Sequence, residues 1–163
     1  MYINKSFIVI LLALLLVGCS SLGRIDELMV SSGEVGVIKQ NVATVKVSVI
    51  GGDRRFVSSE LFKTALEDNL EKLQLFTLVK DGDAHYKLDV IILRAEFSGM
   101  GAGYQLSSQW ILMHNGEEVW SENVTGMGSS SALGGHARIR AASERANKEN
   151  IRNGINMLGE LSL

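Results

Sequence analysis

Asn115-Gly116 stands between two runs with the composition of strands, Tyr104 to Met113 and Glu117 to Thr125. This pair accepts positive φ at both central positions of a two-residue type I′ turn, whose twist matches that of paired strands, so it predicts an antiparallel hairpin. The turn also sets a register in which His114 faces Glu117, Leu112 faces Val119, Ile111 faces Trp120 and Trp110 faces Ser121. The two tryptophans then occupy opposite faces of the sheet. Trp110, with Leu106, Leu112 and Val119, is expected to meet the helices. Trp120, with Ile111, Met113 and Val124, is expected on the outer face among Gln109, Glu118 and Glu122. An apolar group centred on tryptophan in that position is a candidate patch for a partner or ligand. The segment Leu28 to Ile38 folding back over it, or an inert surface, are the competing readings. If the patch docks a partner, Trp120→Ala weakens partner capture more than folding, and Trp110→Ala does the reverse.

The rest of the chain supplies a second layer. Ala43, Val45, Val47 and Val49 alternate with polar residues, the period of a half-buried strand, and Gly51-Gly52-Asp53 ends it. Ser58 offers an N-cap to a helix whose Phe62, Ala65, Leu66, Asn69 and Leu73 recur at helical spacing. A short strand around Phe76 to Val79 leads through the turn sequence Lys80-Asp81-Gly82-Asp83 into a long one, Ala84 to Phe97. Gly126 to Gly135, rich in glycine and serine, reads as a mobile loop before a final helix over about His136 to Glu160, roughly 38 Å long at 1.5 Å per residue. The wheel of that helix sets Ile139, Ala146, Gly154, Met157, Leu158 and Leu161 on one side. Asn147 and Asn150 fall inside the same apolar arc, so Asn150 is expected to hydrogen-bond a loop or strand end, because a buried amide without partners costs about 1 to 3 kcal/mol. The order of elements predicts an α+β two-layer sandwich, a mainly antiparallel four- to five-stranded sheet with two helices on one face.

The N-terminal residues carry an address. Lys5 supplies a positive start, Phe7 to Leu16 an apolar run too short to span a bilayer, and Gly18 a small residue before Cys19, the sole cysteine. Leu16-Val17-Gly18-Cys19 resembles the lipobox of bacterial lipoprotein precursors. The resemblance implies cleavage between Gly18 and Cys19, acylation of Cys19 and a membrane anchored through N-terminal lipid. By the family's sorting rule, Ser20 implies the outer membrane, here with the domain facing the periplasm. The expected organisation is a signal peptide over residues 1–18, a lipidated tether over 19–40 and a single α+β domain over 41–163.

Whole-chain charge is close to balanced, with 16 basic and 18 acidic side chains and a net charge of −2, and loss of Lys5 makes it more negative. No nucleic-acid partner is expected from that balance. His85, His114 and His136 fall on separate elements, so no metal site is expected, and no cofactor. Gly99-Met100-Gly101-Ala102-Gly103 lies between strands and opens no helix, unlike a nucleotide-binding loop. Ser129 to Ser131 near His136 offer a nucleophile and a base but no G-x-S-x-G elbow and no third member. Arg138, Arg145 and Arg152 repeat every seven residues on the wet side of the last helix and form a candidate anion-contact face, interleaved with Glu144 and Glu149.

Three segments carry a second resemblance: Ala84-His85-Tyr86-Lys87-Leu88-Asp89-Val90, Gly116-Glu117-Glu118-Val119-Trp120-Ser121, and Ala142-Ser143-Glu144-Arg145-Ala146 with Asn150-Ile151. They are similar to small Gram-negative outer-membrane lipoproteins, the YajG-like group and the auxiliary lipoproteins of envelope transport and assembly. This implies an accessory or binding subunit with a protein partner in the envelope. An envelope hydrolase or transferase acting on a glycan or lipid is the alternative.

Overall fold

The computed structural model describes residues 24–36, 43–52, 58–98 and 103–162; the leader, Gly18, Cys19 and most of the glycine run after Ser98 lie outside the described residues. In chain order come a helical turn α1 (Ile25–Leu28), a 3-10 turn (Ser32–Glu34), β1 (Thr44–Gly51), α2 (Ser59–Lys72), β2 (Thr77–Leu78), β3 (Tyr86–Ser98), β4 (Gly103–His114), β5 (Glu117–Ser129) and α3 (Gly135–Gly159). The strands form one sheet in the order β2-β1-β3-β4-β5. Helix α2 lies over β1 and β2, α3 over β4 and β5. The α+β sandwich is as expected, with five strands and both long helices on one face.

The sheet is mainly antiparallel, as expected, but not purely so. β1 runs parallel to both β2 and β3, whereas β3–β4 and β4–β5 are antiparallel. The cause is the brevity of β2. Helix α2 returns the chain to the start of β1, where Thr77 and Leu78 pair with Thr44 and Val45. Having advanced only two residues, the chain crosses the same end of β1 and starts β3 with Tyr86 beside Val45. Two parallel partners thus need only one helical crossover.

Local chemistry explains the ends of α2. Ser58 Oγ accepts from Leu61 N at 3.0 Å. At the other end Gln74 takes φ 55°, Leu75 N donates to Leu70 O and Gln74 N to Glu71 O, each at 3.0 Å. This is a Schellman stop with glutamine in the position that favours glycine, and the buried Leu75 follows it into the core.

The core lies between the sheet and the helices. Val45, Val47, Leu88, Val90, Leu106 and Trp110 from the strands meet Phe62, Leu66 and Leu70 of α2 and Ile151, Ile155 and Leu158 of α3, all buried. Met157, expected on the packed side of α3, is instead 37% exposed.

Gly126 to Ser129, read from sequence as the start of a mobile loop, continue β5 beside β4. Gly126 and Gly128 point at α3, and a Cβ on either would overlap the helix backbone at the Ala146 or Ala142 carbonyl. Glycine is there for close approach, with Ala142 and Ala146 giving equally little bulk on the helix side.

The stretch expected to be a tether is only partly one. Leu28 is 2% exposed and Val30 fully buried, so the folded unit begins before residue 41. α1 touches both α2 and α3, and residues 24–36 form a strap across the helical layer. They do not fold back over the outer face of the sheet.

Candidate functional site

The hairpin contains the expected turn, with Asn115 at φ 52° and Gly116 at φ 84°, and His114 pairs with Glu117. The register then shifts. Met113 pairs with Glu118, but Leu112 pairs with Trp120, Ile111 with Ser121 and Trp110 with Glu122, leaving Val119 as an extra residue in a β-bulge. One inserted residue moves the remainder of β5 to the opposite face. Trp120 therefore shares the helical face with Trp110, half-buried against the core, and Val124, opposite Ser108, is 1% exposed. Val119, expected inside, is 48% exposed. The patch drawn from Ile111, Met113, Trp120 and Val124 is thus divided. Ile111 and Met113 keep the outer face, which no helix covers among the described residues, while Trp120 and Val124 belong to the core side.

Beneath α3 lies a buried polar cluster. Asn150 Nδ2 donates to Val124 O at 2.9 Å and Leu106 O at 3.4 Å, and Asn150 Oδ1 accepts from Ser108 Oγ at 2.9 Å and Trp110 Nε1 at 3.3 Å. Asn150, Ser108 and Trp110 are all fully buried. The amide finds buried partners, as expected, but inside β4 and β5 rather than at a loop or strand end, and it ties α3 to the register of both strands. Asn147 Nδ2 donates to Ser143 O at 2.7 Å within the helix.

The arginine face is occupied by structural work. Arg138 Nε donates to Ala132 O at 3.1 Å, Arg145 Nη1 to Ser129 O, and Arg152 pairs with Glu149 at 3.0 Å. Three side chains one helical turn apart serve the free edge of β5: Arg145 meets Ser129 O, Glu149 Oε2 accepts from Met127 N at 2.7 Å, and Asn153 Nδ2 donates to Thr125 O at 2.9 Å. They stand where a sixth strand would hydrogen-bond, and so cover part of an edge that would otherwise pair freely. Arg145 and Arg152 also line a shallow, open groove of about 220 Å³ with Glu34, Met127, Lys148 and Glu149. Two carboxylates among three cations leave no concentrated positive potential.

The strap is held by groups that the sequence reading passed over. Val30 N donates to Asn69 Oδ1 at 2.7 Å, and Asn69 Nδ2 donates to Leu28 O at 3.2 Å and Ala65 O at 2.7 Å. Gly36 N donates to Asn156 Oδ1 at 2.9 Å, and Lys148 pairs with Glu34 at 3.1 Å. The Ser31 amide and hydroxyl, then the Lys148 ammonium, pull the Glu34 carboxyl down from 4.5 to about 2. Burial pushes the Glu144 carboxyl up, against the opposing charge of Arg140. A signal for Asn69 did exist, since an asparagine on the apolar face of a helix needs a buried partner, as Asn150 does.

The histidines stand apart. His85 Nδ1 accepts from Thr44 N at 3.1 Å, His114 stacks on Tyr86 with centroids 4.7 Å apart, and His136 is exposed near the start of α3. Among the described residues no three His, Cys, Asp or Glu side chains converge on a metal position, and no helix is long and apolar enough to cross a membrane.

No family model and no curated protein sequence matches the chain. Solved structures do. Protein XCC0632 from Xanthomonas campestris, of family DUF330, superposes with a TM-score of 0.63 at 15% identity, over 75% of this chain and 86% of that one. Protein CT253 from Chlamydia trachomatis gives 0.54 at 9% identity, over 72% and 98%. Lipoprotein GNA1162 from Neisseria meningitidis gives 0.42 at 12% identity, over 56% and 87%. The first two likenesses show a shared fold, and at these identities the fold is all they show.

Proposed function

We propose that the protein is a lipoprotein of the outer membrane, acylated on Cys19 and facing the periplasm, that works as an accessory or binding subunit of an envelope assembly or transport system. The observation that carries the reading is Leu16-Val17-Gly18-Cys19 at the end of an apolar leader, followed five residues later by a packed strap. Several acyl chains, each CH₂ contributing about 0.8 kcal/mol, hold a small domain on a bilayer durably. Asn69, Asn150, Arg145 and Glu149 are engaged in holding the strap, the helix and the sheet edge. Among the described residues, no helix covers the outer sheet face with Ile111 and Met113.

Mass spectrometry of the protein taken from membranes tests the anchor. The expected result is a lipid adduct on Cys19, with Cys19→Ser abolishing both processing and membrane fractionation; an unmodified Cys19 would falsify the reading. Crosslinked capture from intact membranes tests the binding role. Ile111→Glu with Met113→Glu is expected to reduce capture while leaving the melting temperature near that of the parent, because both side chains sit outside the core.

A further inference from the structure

We propose that the domain rides with its helical layer toward the bilayer and its open sheet face directed away from it, a reading that rests on the acylation of Cys19 proposed above. Arg24, where the described strap begins, lies five residue steps beyond Cys19, with four residues between them. Fully extended, five residues span about 17–18 Å. The strap cannot lengthen that leash without breaking contacts. Leu28 and Val30 are buried, Asn69 holds the backbone at both residues, Glu34 is paired with Lys148, and Gly36 is bonded to Asn156. Each of these attachments is to α2 or α3. Arg24 itself belongs to this side, since its charge acts with those of Arg140 and Glu27 on the Glu144 carboxyl of α3.

The layer thickness turns attachment into orientation. A helix with its side chains is about 10 Å across and stands on a sheet at a layer spacing of about 10 Å, so some 20 Å of protein separates the strap from the outer sheet face. A leash of about 17–18 Å does not reach around that thickness to lipid lying beneath the sheet. The helical layer is left nearest the membrane, and Ile111, Met113 and Asn123 look into the aqueous space.

The test uses lipidated full-length protein, purified from membranes and placed in phosphatidylcholine vesicles that contain a nitroxide-headgroup lipid. A fluorophore is attached to a new thiol at Arg140→Cys on α3 or at Asn123→Cys on the outer face; the acylated Cys19 thiol does not react. Quenching is expected to be several-fold greater at position 140. Inserting about twenty Gly/Ser residues between Ser21 and Leu22 is expected to remove the difference, because an extended chain of that length reaches either face. Equal or stronger quenching at position 123, or a difference that survives the insertion, overturns the orientation while leaving the lipoprotein reading intact. Absence of a lipid adduct on Cys19 in the same preparation overturns both.

Discussion

The two halves of β5 obey different rules. From Glu117 to Asn123 the strand has large side chains and a bulge. From Val124 to Ser129 it has glycines on the helical face and an edge served by Arg145, Glu149 and Asn153. In the first half the turn determines where the strand starts and the bulge determines which way it faces. In the second half the helix determines which residues the strand can contain, since Gly126 and Gly128 are the positions where α3 comes closest. A glycine pair within a strand is here the imprint of a neighbouring backbone, whereas in a loop it would signify freedom.

The contrast can be broken at several points. Trp110→Ala, which opens a cavity in the core and removes a donor from Asn150, is expected to cost about 4 kcal/mol by chemical denaturation. Trp120→Ala, removing a half-buried ring, should cost about half as much; equal losses would refute the difference in burial. Gly126→Val should cost about 3 kcal/mol through overpacking against α3, while Asn123→Val in the first half stays within about 0.5 kcal/mol. Deleting Val119 should preserve the tryptophan emission maximum, because Trp120 then stands opposite Leu112 with no bulge needed, whereas deleting Met127 should unfold the domain by turning Gly128 away from α3 and setting Ser129 against the Ala142 carbonyl.

Smaller effects concern the covered edge and the strap beside it. Replacing Arg145, Glu149 and Asn153 together by alanine is expected to produce concentration-dependent association in light scattering, as the freed backbone groups of β5 find other strands. Acid should loosen the strap and spare the hairpin. With the Glu34 carboxyl lowered to about 2, its contribution is complete above 4.5 and disappears as pH falls through about 2. Since Glu34 is partly exposed, solvent screening limits this to about 1 kcal/mol or less. Hydrogen exchange at Val30 should accelerate over that window in the parent and show no such transition in Glu34→Gln.

Much of the architecture was legible in the sequence because its signals are local. Ser58 announced α2, Asn115-Gly116 announced the hairpin, and Asn150 inside an apolar arc announced a buried amide seeking partners. The failures involve residues whose roles are set by distant ones. Nothing near Val119 marks it as an extra residue, yet that residue reversed Trp120 and Val124 and divided the candidate patch. The parallel placement of β1 follows from a two-residue strand whose length is decided by packing. Arg145 gave no sign of its partner because Ser129 O belongs to a strand whose end reads in the sequence as a loop.

The strap also defines a load path. A pull on the N-terminus enters the fold at Arg24 and passes first to the Asn69 and Asn156 amides and to the buried Leu28 and Val30, before any strand bears it. Such a pull therefore loads both long helices before the sheet, through Asn69 on α2 and through Lys148 and Asn156 on α3. A tether joined directly to β1 would instead have drawn on the end of a strand, where bonds open one at a time. The anchor proposed at Cys19 would thus reach the sheet only through this strap.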